Sequence, residues 1–125
     1  MAALSDAEVH LAKAKEFLEA AEIARDLDLY NAATSAAVVS GINSKDAMCL
    51  RLTGKTGKGD SHLEAVAELR ATGNVGADLA PTLSRLIKLE TKSRYSALNV
   101  AASDAAKAID WAERLLNAAQ EIVAS

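Results

Sequence analysis

Between Tyr30 and Leu50 the chain carries only two charges, Lys45 and Asp46, and they are adjacent. Small and apolar residues fill the rest without a proline, and the segment reads as one helix from about Leu29 to Leu52. A helix that is apolar or small on nearly every side has no face to give to water, and such a helix is usually the central member of a bundle. Ala33, Ala37, Ser40, Gly41 and Ser44 form a small-residue track along it that lets a neighbour come close. Gly41 is about 1 kcal/mol worse than Ala inside a helix, which calls for a packing reason. The uncharged run from Leu29 to Ser44 is too short, and too rich in Ser, Thr and Asn, to span a bilayer.

The flanking sequence supplies the neighbours. Ser5-Asp6-Ala7-Glu8 has the form of a capping box, with Leu4 and Val9 placed as a hydrophobic staple. It opens a first helix that runs to about Leu27, with Leu11, Ala14, Phe17, Leu18, Ala21 and Ala24 on one stripe. Ser61-His62-Leu63-Glu64 opens a third helix that ends at Gly73. A fourth starts near Asp78, with Pro81 in its first turn, and continues to roughly Ala97. Ser103-Asp104 caps a fifth, striped by Ala105, Ile109, Ala112, Leu116, Ala119 and Val123. Six glycines and one proline in 125 residues leave too few turns for a many-stranded sheet protein. The fold class is all-α: a single domain over residues 1–125, a compact up-and-down bundle of about five helices.

Composition narrows the function. A net charge of −3 argues against a general nucleic-acid coat while leaving room for a local basic site. The single Cys49 excludes an intramolecular disulfide framework and a multi-cysteine zinc site, and it suits a reducing compartment. The N-terminus lacks the order of a signal peptide, so the expected location is cytoplasmic.

The loop Gly54-Lys55-Thr56-Gly57-Lys58-Gly59-Asp60 contains Gly-Lys-Thr, but it is no P-loop. The glycine required five positions earlier is Cys49, within a helix, and no strand precedes it. What remains is a cationic loop, with Lys55 and Lys58 beside the positive N-terminus of the third helix, or a plain solvated connection. His62 stands at that N-terminus and His10 near the start of the first helix, without metal-ligand spacing. In the fourth helix, Leu79, Leu83, Leu86, Ser93 and Ala97 define the inward face. Glu90 and Arg94, four residues apart, fall in the same arc. Arg85, Lys88, Lys92 and Tyr95 lie opposite. Asn43 and Asp46 are polar on a helix that is otherwise core and need internal partners, for which Arg94 and Lys92 are the candidates.

As a whole the chain resembles the HEPN superfamily of small helical nucleotide-binding domains. The likeness lies in the helix-one pattern from Ala12 to Leu27, in Tyr30-Asn31-Ala32-Ala33-Thr34-Ser35-Ala36-Ala37, and in Ile42 to Leu50. It continues in the Gly-rich turn before Asp60-Ser61-His62, the run Leu86 to Tyr95, and Ser103-Asp104-Ala105 with Ala112-Glu113-Arg114-Leu115. The resemblance implies a helical bundle, commonly dimeric, working beside a small nucleotidyltransferase in toxin–antitoxin or stress-response pairs. Nuclease members cut RNA without a metal, using an Arg followed after four to six residues by a His. Arg94 matches the Arg, but the slots for the His hold Asn99, Val100 and Ala101. Asn cannot serve as a general acid or base near neutral pH.

The resulting expectation is a non-catalytic HEPN-like binding protein without cofactor or metal. It is expected to be homodimeric or bound to a nucleotidyltransferase, with a polar groove for nucleotide or RNA phosphate. Arg94, Lys92, Asp46, Lys55, Lys58 and His62 are the candidate ligand-binding residues. The alternative is a metal-independent ribonuclease toxin that uses Arg94 with a non-standard base, His62.

Overall fold

The structure is a computed structural model. It describes residues 2–57, 61–95 and 100–125, with only the backbone of 92–95. Five helices follow one another: α1 (Ala2–Asp26), α2 (Tyr30–Thr53), α3 (His62–Arg70), α4 (Asn74–Tyr95) and α5 (Ala102–Ala124). The all-helical bundle is as the periodicities imply, and α2 touches all four other helices.

The turn between α1 and α2 is a Schellman motif closed by Asp28. Its φ is +61°, and the amides of Leu29 and Asp28 donate to the carbonyls of Ala24 and Arg25 at 2.9 Å each. Asp tolerates this left-handed conformation better than most residues, and Tyr30 Oη donates to its carboxylate at 2.8 Å. So short a turn returns α2 antiparallel along α1. Ser40 Oγ therefore reaches the Ala14 carbonyl at 2.7 Å, and His10 meets Asn43 one turn further along.

The core draws on every helix. Leu11, Ala14, Leu18 and Ala21 from α1 and Ala37, Val38 and Met48 from α2 meet Val66 and Leu69, Leu83 and Leu86, and Ile109 and Leu115 from the other three. Full burial of each large side chain stabilises by about 1.5–3 kcal/mol. The small track on α2 is buried throughout, which lets the neighbouring helices close on its backbone.

Several helix starts differ from expectation. α1 begins at Ala2, so Ser5 and Glu8 are inside the helix and form no capping box, and Leu4 and Val9 are exposed. The good helix-forming sequence Ala2-Ala3-Leu4 extends the helix past that signal. Ser61 is the N-cap of α3 and Ala101 that of α5, neither with a side-chain cap bond. α3 ends at Arg70, and Gly73 (φ +130°) leads directly into α4 at Asn74. Pro81 consequently sits beyond the first turn of α4. It is tolerated because it faces water, and so does Ala77, whose carbonyl loses its intrahelical donor.

No helix among the described residues is long and apolar enough to cross a membrane.

Candidate functional site

The two charges on the central helix organise the site. Lys45 is buried, yet all three of its ammonium protons have acceptors: Asp46 Oδ1 at 2.8 Å, Thr56 Oγ1 at 3.0 Å and Glu68 Oε1 at 3.2 Å. Thr56 in turn donates its hydroxyl proton to Asp46 Oδ1 at 2.7 Å. Glu68 Oε2 accepts from the backbone amide of Gly57. One ammonium thus ties together α2, the loop that follows it and α3. A buried charge is tolerable only when its hydrogen-bonding capacity is met in this way.

Burial pushes the Lys45 pKa down, but the hydrogen bond and charge of Asp46, with the charge on Cys49 and a bond to Glu68, outweigh it. The pKa is raised above 10.5. The stability that this ammonium contributes is therefore complete below the unfolded lysine value and is lost as pH climbs through the higher folded one. The urea midpoint of the protein is expected to fall above about pH 10.5, and to fall less in Lys45→Met. Equal alkaline slopes in the two proteins would refute this assignment.

Two histidines flank the hub. On α1, His10 Nδ1 lies 2.8 Å from Asn43 Oδ1 and 3.8 Å from Asp46 Oδ2. The Asn43 amide is fixed because its Nδ2 donates to the Val39 carbonyl at 2.9 Å, so its oxygen faces the ring. That oxygen can only accept, so Nδ1 carries the proton and Nε2 is the basic nitrogen of neutral His10. At the start of α3, His62 Nε2 lies 2.9 Å from Oε1 of Glu90, a buried carboxylate on α4. By the same reasoning Nε2 donates and Nδ1 is the basic position.

These groups enclose a concavity of about 200 Å³ lined by both histidines, Lys45, Asp46, Thr56 and Glu68 among others. Exposed Lys55 stands beside His10 in a shallower adjoining groove with Asp6 and Thr56. Cys49 is also buried next to the hub. Burial pushes its thiol up to about 11, with Lys45 opposing and Glu68 and Asp46 adding, so it is an inert core group rather than a nucleophile.

Of the residues named from sequence, Asp46 and His62 line this concavity and Lys55 lines the adjoining groove. Lys58 lies outside the described residues, as do the side chains of Lys92 and Arg94, whose backbone belongs to the last turn of α4. Among the described residues Asp46 meets Lys45, Thr56 and His10; the pairing with Lys92 and Arg94 suggested by the sequence lies outside the described side chains. Glu90 is buried, as its place on the inward arc implies, and His62 is a partner reached from another helix. Sequence reasoning missed Lys45, His10, Thr56, Glu68 and Glu90 as members of one cluster. Lys45 itself was visible as a lone cation on a core helix. Among the described residues no group of three or more His, Cys, Asp or Glu is arranged to hold a metal ion.

An all-helical bundle with a polar cleft walled by its first three helices is the class these features define. The HEPN domain matches residues 7–122, and the chain belongs to that family. It is also similar to the crystal structure of TT1696 from Thermus thermophilus, with a TM-score of 0.76 and 25% identity. That likeness covers 93% of this chain and 97% of the other. No curated protein matches it.

Proposed function

We propose that this chain is a HEPN-family binding protein that takes a nucleotide or an RNA phosphate in the cleft between α1, α2 and α3. The observation that carries this reading is the convergence of His10, Lys45, Asp46, Thr56, His62 and Glu68 on one small concavity. An inward polar cluster of this kind is costly to the fold, and a ligand site is the reason for keeping it. Lys55 at the rim supplies a cation for the ligand's phosphate. The Arg-x4–6-His pair of the nuclease members is incomplete after Arg94, which favours binding over cleavage.

Titration of the protein with AMP and with a short single-stranded RNA is the test. Saturable binding that weakens with salt is expected, and Lys55→Ala should reduce it several-fold. Absence of saturable binding to either probe would reject the reading.

One observation favours the ribonuclease alternative. His62 is held by a buried carboxylate on α4, one helical turn before Arg94. A carboxylate-oriented imidazole is a competent general base. Metal-independent RNA cleavage that disappears in both Arg94→Ala and His62→Ala would establish this reading over pure binding.

Pairing with a second copy or with a nucleotidyltransferase, in a toxin–antitoxin or stress-response context, belongs to the same proposal. Exposed Ile23, Leu27 and Leu29 around the α1–α2 turn offer apolar surface for such a contact. Sedimentation showing only monomer at micromolar concentration would remove the homodimer.

A further inference from the structure

We propose that the cleft is a proton-coupled anion site, in which His10 and His62 become protonated as a phosphoryl group enters. This inference rests on the binding reading above and specifies its chemistry.

The argument begins with charge. At the hub one ammonium, Lys45, is shared between two carboxylates, Asp46 and Glu68, so a negative charge is in excess and no donor of Lys45 is left for a ligand. In that state the cleft repels a phosphate. The groups that can offset this excess are the two imidazoles on its walls, which is the chemistry histidine performs near neutral pH.

Geometry prepares both rings for the change. His10 already donates from Nδ1 to Asn43, and His62 from Nε2 to Glu90. A second proton therefore goes to Nε2 of His10 and Nδ1 of His62 without breaking either bond. Each new cation also has a carboxylate to face. His10 is 3.8 Å from Asp46 on α2, with Asp6 on its own helix and Lys55 of the loop in the adjoining groove. His62 is against Glu90 of α4, and Lys45, Asp46 and Glu68 line the same concavity. The carboxylates hold the protonated rings, and the rings present N–H donors to the anion. Protonation of both rings offsets the excess carboxylate charge and adds two N–H donors, so binding of a phosphate is coupled to proton uptake.

The test is calorimetric titration of the full chain with AMP and with a single-stranded RNA hexamer. Titrations at pH 8 and pH 6 in two buffers of different ionisation enthalpy count the protons. Affinity is expected to rise by about tenfold or more from pH 8 to pH 6, with net proton uptake near pH 7, following linkage. His62→Gln keeps a donor for Glu90 and His10→Gln keeps one for Asn43. Each should lower the uptake, and the double variant should bind with little pH dependence. Histidine NMR of the wild-type chain gives a second readout that needs no variant: adding AMP at pH 7 should move the ring resonances of both His10 and His62 toward their imidazolium positions. Binding that is flat with pH, or that strengthens as pH rises, overturns the proton coupling and leaves the binding reading standing. Failure of both probes to bind at either pH overturns the binding reading itself, and this inference with it.

Discussion

Lys45→Ala is expected to destabilise the protein by about 3–5 kcal/mol, the range for removing one partner from a buried ionic cluster. The Lys45 side chain is 2% exposed, and those of its partners Asp46 and Glu68 are 14% and 31% exposed. The truncation leaves Asp46 and Glu68 without the cation between them and removes a donor from Thr56. Thermal unfolding by circular dichroism should fall by more than about 10 °C for a chain of this size. The loss is mainly that of uncompensated charge, so it should be partly recovered in Lys45→Met combined with Asp46→Asn and Glu68→Gln. A loss below about 1 kcal/mol in the single variant would mean that the three side chains are not coupled in the folded state.

That cluster also shows where the sequence could be read and where it could not. Helix existence followed from spacing. The α5 stripe from Ala105 to Ala119 is buried as its period requires, and the uncharged α2 is central because it had no face for water. Helix starts were less legible, since Ser5 and Asp78 look like caps locally but lie inside helices that strong formers and the α3–α4 corner begin earlier. The site was legible in half. Two adjacent charges on a core helix, with Asn43 nearby, announced buried polar groups in need of partners. The partners lie elsewhere in the chain: Thr56 is 11 residues from Lys45, Glu68 is 23 away, and His10 is 33 from Asn43. No local spacing encodes those separations; they come from the antiparallel return of α2 along α1 and from the fold of the loop onto α3. Glu90 differs in kind. Its inward position could be counted from the helix period, whereas its tie to His62 depends on how α3 rests against α4.

Gly41 determines how closely α2 approaches α4, and enlarging it is expected to strain the core and the site together. A Cβ at this position would lie 2.6 Å from Leu86 Cδ2 and 3.3 Å from Leu115 Cδ1. Both leucines are fully buried, so neither can move without displacing others. For Gly41→Ala, overpacking of about 1–3 kcal/mol is offset by about 1 kcal/mol of helix propensity, leaving a small net loss. Gly41→Val adds two methyl groups and loses part of the propensity gain, so its cost should approach about 3 kcal/mol. Leu86→Ala alone should cost about 2–5 kcal/mol through the cavity it leaves. In the double variant the valine occupies that cavity, so urea denaturation should give a cost well below the sum of the two singles. Strict additivity would show that the two positions do not meet. The consequence reaches the cleft because Lys45 lies one turn beyond Gly41 on α2, and Glu90 one turn beyond Leu86 on α4. Forcing the helices apart moves the wall that carries Lys45 away from the one that holds His62. The His62 ring resonances should therefore shift in Gly41→Val and return toward wild type in the Leu86→Ala background.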